Sequence, residues 1–261
     1  MITDLDVTVS GVRLAVRSIL VNPDPGRPWL VFLHEGLGSI AQWRGFPVML
    51  AQATGLNAVV YDRQGHGKSA GFTEPRRPDY HTTEAAVLVE LLDALDITRC
   101  VPFGHSDGGT IALMFAAAEP NRAAAIVIEA AHVAVEDIAR QGIVAARSQF
   151  DSGPLRQGLH AYHGDKVDDM FSAWADTWLS PGFDDWSIVA ELAAVACPTL
   201  IIQGEHDHYA TPGHVELIAS AVGGPAEVWL IPDVGHSPHR EAEAEVRDRV
   251  ARFIAKAVTV P

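Results

Sequence analysis

The sequence predicts an α/β protein with a mostly parallel central sheet of about eight strands, helices on both faces and an inserted helical lid. Two observations lead to this prediction. Short apolar runs bounded by turn residues alternate with helical stretches, a pattern typical of right-handed strand–helix–strand units in a parallel sheet. Residues 132–192 break this alternation, because no convincing strand occurs there.

The chain opens with a predicted antiparallel hairpin at the sheet edge. Two extended runs, residues 5–9 and 12–21, are joined at Ser10-Gly11, a two-residue turn signal. The remaining strands are predicted from buried apolar runs at residues 29–33, 58–61, 100–103, 125–128, 199–202 and 228–231. Pro102 lies inside one of them, where it removes a ladder hydrogen bond, and we expect a bulge there.

Helices are predicted between these strands. They cover residues 43–54, 82–95, 109–118 and 214–221. After the last strand, one face of a final helix is formed by Val246, Val250, Phe253 and Ile254. Helices that follow successive parallel strands cover both faces of the sheet.

The strandless segment sets the predicted domain boundaries. Residues 1–131 and 193–261 form the core, and residues 132–192 form the lid. An apolar stripe at helical spacing runs through the lid at Val167, Met170, Phe171, Trp174 and Trp178. We predict that Phe171, Trp174 and Trp178 bind substrate; the alternative is that the stripe only packs the lid onto the core.

Composition and charge exclude several classes of partner. The 33 acidic and 19 basic residues give a formal charge of −14, which repels a nucleic-acid backbone or an anionic membrane surface. Cys100 and Cys197 lack CxxC spacing and are expected to be buried free thiols. No signal-peptide pattern or membrane-length apolar run is found, so we expect a cytoplasmic protein. The expected partner is a small-molecule substrate, with a homodimer left open.

The pattern GxSxG occurs twice, and context distinguishes the two copies. A nucleophile elbow needs an entering strand, a strained turn and a leaving helix. Ser106 follows the apolar run 100–103 and precedes the apolar helix 109–118. Ser69 instead leads into a proline-broken loop at residues 72–78, where no helix can start. Ser106 is therefore the predicted nucleophile.

With Ser106 in this setting, the chain resembles the α/β-hydrolase family, and the resemblance covers nearly its whole length. The family order is serine, acid, histidine. Residues 200–207 look like the acid-bearing strand end, with Asp207 in the acid position, and residues 231–238 look like the histidine loop, with His236 as base. Glu205 and Glu129 are the alternative acids. His239 is the alternative base, and we interpret it as a cap or surface residue.

This resemblance implies a serine made reactive by a base. A hydroxyl is a poor nucleophile until a neighbouring base removes its proton, so His236 would activate Ser106. Asp207 would fix the imidazole tautomer and stabilise the imidazolium. Both loops are expected at the carboxyl edge of the sheet, where such sites lie.

The resemblance also implies an oxyanion hole of backbone amides. The amide of Asp107, at a helix N-terminus, is one predicted donor, and Gly36, with Leu37 second, supplies the other. Glu35 departs from the family pattern, since it stands where glycine is usual. We expect Arg63 or Arg44 to neutralise its charge.

Other functions are less well supported. Gly67-Lys68-Ser69 ends like a P-loop, but Asp62 replaces the leading glycine and no helix follows. His160 and His163 are spaced to bind zinc, yet polar lid residues are commoner, so no metal and no cofactor are predicted. A ligand-binding receptor built on a hydrolase fold is the non-enzyme alternative.

The predicted activity is cleavage of a carboxylic ester of a small, partly apolar substrate through an acyl-enzyme. Lactone, thioester, amide and carbon–carbon cleavage remain alternatives on the same residues. Ser237 disfavours carbon–carbon cleavage, because such hydrolases usually carry tryptophan after the histidine. Asp107 could select a cationic substrate group, although a solvated or helix-capping carboxylate is the favoured interpretation.

Overall fold

The computed structural model describes residues 1–24 and 26–258 and contains one eight-stranded sheet. All eight predicted strands are found there, with ends that differ by a few residues. The strands are β1 Ile2–Val9, β2 Val12–Ile19, β3 Trp29–Leu33, β4 Ala58–Tyr61, β5 Cys100–His105, β6 Ile126–Glu129, β7 Thr199–Gly204 and β8 Ala226–Ile231.

The strand order across the sheet is β1-β2-β4-β3-β5-β6-β7-β8. The pairs β1–β2 and β2–β4 are antiparallel and the others are parallel, which confirms the mostly parallel sheet. The edge hairpin turns at Ser10 and Gly11, whose φ angles of 48° and 79° are those of a tight turn that suits the strand twist.

Helices cover both faces, as predicted. They are α1 Phe46–Thr54, α2 Tyr80–Ala94, α3 Asp107–Ala118, α4 Asp137–Asp151, α5 Pro154–His163, α6 Val167–Leu179, α7 Pro212–Ala221, α8 Pro238–Glu241 and α9 Glu243–Ala257. Helices α1 and α9 share one apolar core with the sheet, while α2, α3 and α7 share the other. Each large aliphatic or aromatic side chain buried there contributes about 1.5–3 kcal/mol.

Helices α4, α5 and α6 form a helical insertion between β6 and β7, in the range predicted from its lack of strands. The insertion has its own apolar cluster and is hydrogen-bonded to the rest of the chain. Trp178 Nε1 donates to Tyr80 Oη at 2.9 Å, and Lys166 Nζ donates to the Gly67 carbonyl at 2.7 Å. Of the predicted core range, residue 25 and residues 259–261 lie outside the described residues.

Pro102 lies within the regular run of β5, opposite Val31 of β3. On the other side the ladder is irregular. Cys100 pairs with Ala123 and Phe103 pairs with Val127, so three steps along β5 face four along its neighbour. The extra residue therefore lies in the neighbouring segment, residues 123–127, opposite the proline, which has no backbone N–H to donate.

Both cysteines are buried and free, as expected. Burial raises the pKa of the Cys100 thiol to about 12 and that of Cys197 to about 11. No helix within residues 1–24 and 26–258 combines the length and hydropathy needed to cross a bilayer.

Candidate active site

Ser106 lies between β5 and α3 in a strained turn. Its φ of 52° and ψ of −118° are unfavourable for a residue with a side chain. The flanking glycines allow the turn, because a Cβ on Gly104 would lie 2.1 Å from the Gly108 carbonyl oxygen and one on Gly108 would lie 1.9 Å from that of Leu33. The backbone therefore has the form of a nucleophile elbow.

The second GxSxG serine has a structural role. Ser69 is buried, its hydroxyl donates to the Asp62 carbonyl at 2.5 Å, and it accepts from the Ala15 amide at 2.8 Å. With the hydroxyl engaged on both sides, Ser69 fixes the turn after β4.

Asp207 and His236 form the central contact of the site. His236 Nδ1 lies 2.8 Å from Asp207 Oδ1 and 2.9 Å from Oδ2, and Oδ1 also accepts from the Tyr209 amide at 2.8 Å. Burial alone would raise the pKa of the Asp207 carboxyl, but the hydrogen bond and charge of His236 outweigh it and lower the pKa. The carboxylate thus holds the imidazole by its Nδ1 edge.

Ser106 and His236 line the same cavity. The described residues contain no hydrogen bond between the Ser106 hydroxyl and His236. This contact is commonly long in sites without substrate and tightens on binding. The structure thus places the serine and the histidine on one cavity, and Asp207 is joined to that site through its hydrogen bond to His236.

The alternative acids are placed elsewhere. Glu205 is exposed, and Glu129, at the end of β6, is fully buried against His239, whose Nδ1 lies 2.7 Å from its Oε2. The interpretation of His239 as a cap or surface residue is wrong, because its ring is buried against the rings of Trp43 and Phe46. Glu129 and His239 form a second, internal carboxylate–imidazole pair.

Three backbone amides lack a partner beside Ser106. Gly36, Leu37 and Asp107 all line its cavity, and within the described chain none of their amides donates a hydrogen bond. The Asp107 amide is at the first position of α3, where helical amides have no internal acceptor. These are the three donors predicted for the oxyanion hole, and they are available to bind negative charge.

The Glu35 side chain does not pair with Arg63 or Arg44, contrary to expectation. Its carboxylate lies 3.7 Å from His105 Nδ1, because His105 ends β5 directly beneath the loop. Burial alone would raise the pKa of the Glu35 carboxyl, but the His105 imidazole lowers it to about 2. Burial likewise opposes charge on His105, while Glu35 raises its pKa. His105 Nε2 donates to the His236 carbonyl at 2.7 Å.

The Asp107 side chain is neither solvated nor a helix cap. It is 1% exposed, and its oxygens lie 3.7 Å from Arg63 Nη2 and 3.6 Å from His81 Nε2. Burial would raise the pKa of Asp107, but His81 and the arginine charges hold it below its usual range. This burial depends on α2 and the β4 turn, which lie far from Asp107 in the sequence.

The cavity at Ser106 is small, about 160 Å³, and the helical insertion contributes part of its wall. Trp174 and Trp178 line it, and a Cβ on Gly36 would come within 2.5 Å of the Trp174 ring. Phe171, predicted beside them, is not part of this wall; it stacks on Phe150 with ring centroids 3.9 Å apart. One helix turn separates residues that face the cavity from residues that pack the insertion.

His132 and Tyr209 are among the residues of this wall that sequence reasoning missed. His132 is 3% exposed, and burial, aided by His214 and His236, lowers its pKa to about 3. It therefore presents a neutral imidazole. The sequence signal that could have identified His132 is its position three residues after the end of β6, because residues that follow parallel strands lie together at this edge of the sheet.

The metal alternative is not supported by the positions of its residues. Both ring nitrogens of His163 are engaged: Nδ1 accepts from the Gly67 amide at 2.9 Å, and Nε2 donates to the Leu37 carbonyl at 3.0 Å. His160 is exposed. No group of three or more potential ligands occurs among the residues that the structure describes.

Comparisons with known proteins identify the family of the chain. Residues 30–249 match the model of the alpha/beta hydrolase family. Serine hydrolase BPHL of Mus musculus is 28% identical, the match covering 97% of this chain and 87% of the relative. The 2-succinyl-6-hydroxy-2,4-cyclohexadiene-1-carboxylate synthase of Enterobacter sp. (strain 638) is 26% identical over 88% of this chain and 93% of its own.

A solved structure shares the fold. The enol-lactonase from Burkholderia xenovorans LB400 superimposes with a TM-score of 0.76 at 20% identity, over 96% of this chain and 99% of its own.

Proposed function

The chain belongs to the alpha/beta hydrolase family, and from this premise we propose that it is a serine hydrolase that cleaves a carboxylic ester of a small, partly apolar substrate through an acyl-enzyme. The observation that carries the proposal is the Asp207–His236 hydrogen bond beside a cavity that also holds Ser106 on its strained turn. A residue forced into such a conformation points to function rather than packing.

The proposed reaction has two acyl-transfer steps. Ser106 Oγ attacks the ester carbonyl while His236 Nε2 takes its proton, and the oxyanion binds the amides of Asp107 and of Gly36 or Leu37. His236 then gives the proton to the departing alkoxide, which leaves the acyl group on Ser106. Water attacks this acyl-enzyme with His236 again as base, and the acid is released with Ser106 restored.

The cavity favours a short acyl or alcohol group. At about 160 Å³ it is below the range of drug-sized sites, about 300–1,000 Å³. Trp174, Trp178 and Ile143 supply apolar wall, and His132 supplies a neutral polar group. Lactone, thioester, amide and carbon–carbon cleavage remain alternatives on the same residues, and a structural neighbour is named enol-lactonase.

The Asp107 carboxylate supports a positional role better than recognition of a cationic substrate. It is already paired with Arg63 and His81, so little of its charge is available to a ligand. Equal loss of turnover on neutral and amino esters in Asp107→Asn is the expected result.

The deciding experiment measures hydrolysis of p-nitrophenyl esters of graded acyl length. We expect kcat/KM to fall beyond short chains, and Ser106→Ala to lose about 10⁴-fold or more in kcat. Asp207→Asn should lose about 10⁴-fold, whereas its control, Glu205→Gln, changes an exposed carboxylate and should match wild type.

A fluorophosphonate label supplies the second measurement. Mass spectrometry should find the label on Ser106 in the wild type and none in Ser106→Ala. A wild type that neither hydrolyses any ester nor takes up the label would favour the receptor alternative and end the proposal.

A further inference from the structure

Arg63 lies just after β4, behind the two backbone segments that carry the proposed oxyanion amides. Its side chain is 0% exposed. The Nη2 atom donates to the Glu35 carbonyl at 2.8 Å and to the His34 carbonyl at 3.3 Å. The same atom lies 3.7 Å from the Asp107 carboxylate. One nitrogen thus contacts both segments.

The contact with the Glu35 carbonyl has a direct effect on the Gly36 amide. The two groups belong to one peptide plane, in which C=O and N–H point in opposite directions. Fixing the carbonyl oxygen against Arg63 therefore sets the direction of the Gly36 N–H. His34 Nδ1, at 2.7 Å, and the Gly38 amide, at 3.0 Å, also contact this oxygen, so the peptide is held by three groups.

A parallel contact orients the next peptide. His66 Nε2 lies 3.0 Å from the Gly36 carbonyl, which shares its peptide plane with the Leu37 amide. His66 belongs to the turn that begins with Arg63, so the turn after β4 fixes both candidate amides of the loop from behind.

We infer that Arg63 is a positioning residue that keeps the two halves of the oxyanion hole, the Gly36 peptide and the Asp107 turn, at a set separation. The inference rests on the proposed function. Hydrogen bonds to an oxyanion lose strength steeply when distance or angle is relaxed, so the separation of the donors governs transition-state binding.

A purely structural role is the competing explanation. Arg63 and the partly buried Arg76 lie near the buried carboxyl groups of Asp107 and Glu84, and two cations opposite two anions could serve only to balance charge. Arg76 differs from Arg63 in its contacts: its guanidinium lies over the rings of Phe72 and Tyr80, at 5.2 and 4.5 Å from their centroids. Arg76 is thus a control of the same residue type near the same carboxylates, although its side chain is only partly buried.

The test compares Arg63→Lys with Arg76→Lys. Each keeps its positive charge, but Arg63→Lys replaces the rigid planar guanidinium, whose Nη2 atom contacts both segments, with a flexible ammonium group. Two inhibitors are titrated: a trifluoromethyl ketone, which forms a tetrahedral oxyanion adduct with Ser106, and the matching methyl ketone, which binds in the ground state. We expect Arg63→Lys to lose about 10- to 100-fold in both kcat/KM and trifluoromethyl ketone affinity, with methyl ketone affinity unchanged. Arg76→Lys should leave the ratio of the two affinities at the wild-type value.

Equal losses for both ketones in Arg63→Lys, or the same change of ratio in Arg76→Lys, would overturn the inference in favour of charge balance. Hydrogen–deuterium exchange needs only wild type: the adduct should slow exchange in the peptide covering residues 34–38, and unchanged exchange would also overturn it. If wild type forms no adduct and cleaves no ester, it is the proposed function that fails. Ester cleavage that is lost in Ser106→Ala but insensitive to Arg63 refutes only the positioning role.

Discussion

Acidification is expected to destabilise the protein through His132. The ring is 3% exposed, its Nδ1 has no hydrogen-bond partner within the described chain, and the rings of Trp178, His214 and His236 lie 5.2–6.2 Å away between centroids. Burial, reinforced by the charges of His214 and His236, lowers the pKa of His132 from 6.5 to about 3, although Asp207 and Asp107 act in the opposite direction.

The sign and size follow from proton binding in the two states. The unfolded chain binds a proton at the ordinary pKa of 6.5, whereas folded His132 binds one only near 3. Stability rises with pH wherever the unfolded state holds more protons, so this contribution is complete above about pH 6.5 and is lost as pH falls toward 3. At about pH 5, roughly 1.5 pH units at about 1.36 kcal/mol each give a loss of about 2 kcal/mol.

Urea unfolding followed by tryptophan fluorescence, at a series of pH values, measures this loss. We expect the free energy of unfolding of His132→Asn to fall by about 2 kcal/mol less than that of wild type between about pH 7 and 5. His160→Gln, which removes an exposed histidine of the insertion, is the control and should follow wild type. Parallel curves for wild type and His132→Asn would refute the reasoning.

Three further predictions concern packing at the site. Gly108→Ala should yield little folded protein, because its Cβ would lie 1.9 Å from a backbone oxygen. The control, Gly158→Ala, has open space in α5 and should stabilise the protein by up to about 1 kcal/mol in thermal unfolding. A normal melting curve for Gly108→Ala would contradict the prediction. Trp174→Ala should enlarge the cavity and raise kcat/KM for octanoyl over acetyl esters by about tenfold, and the same gain in Phe171→Ala would show that the wall is wrongly assigned. Glu129→Gln should lower the free energy of unfolding by about 1.5–3 kcal/mol and leave kcat near wild type, since Glu129 pairs with His239 and not with His236. A loss of kcat as large as that expected for Asp207→Asn would instead make Glu129 catalytic.

Much of the fold could be predicted from the sequence because its strands are buried on both faces. A strand such as β5, buried along its whole length, appears as a continuous apolar run between turn residues. The insertion was recognisable from the lack of such runs in residues 132–192. A bulge was expected on the strand that contains Pro102, but the extra residue lies in the neighbouring segment of the sheet. The residue pattern of one strand does not show which residues of the next strand pair with it.

The site could be predicted where it depends on local geometry or on the serine, acid, histidine order of the family. Ser106 was distinguished from Ser69 by flanking strand and helix, while Asp207 and His236 came from the resemblance. The pairing of His239 with Glu129, 110 positions away, could not be read locally. Helical periodicity likewise identified one face of α6 without showing that Trp174 meets the cavity and Phe171 does not.

The two hydrogen bonds of His163 have a consequence for protein engineering. Through this one ring the insertion binds the carbonyl of Leu37, which lines the cavity, and the amide of Gly67 in the turn after β4, so it is attached to both loops. Exchanging the insertion for that of another hydrolase would remove these fastenings together with the cavity wall. A chimera intended to change substrate range would therefore need a histidine at the position of His163. The insertion contributes to the cavity wall and also, through this histidine, holds the loops of Leu37 and Gly67 in place.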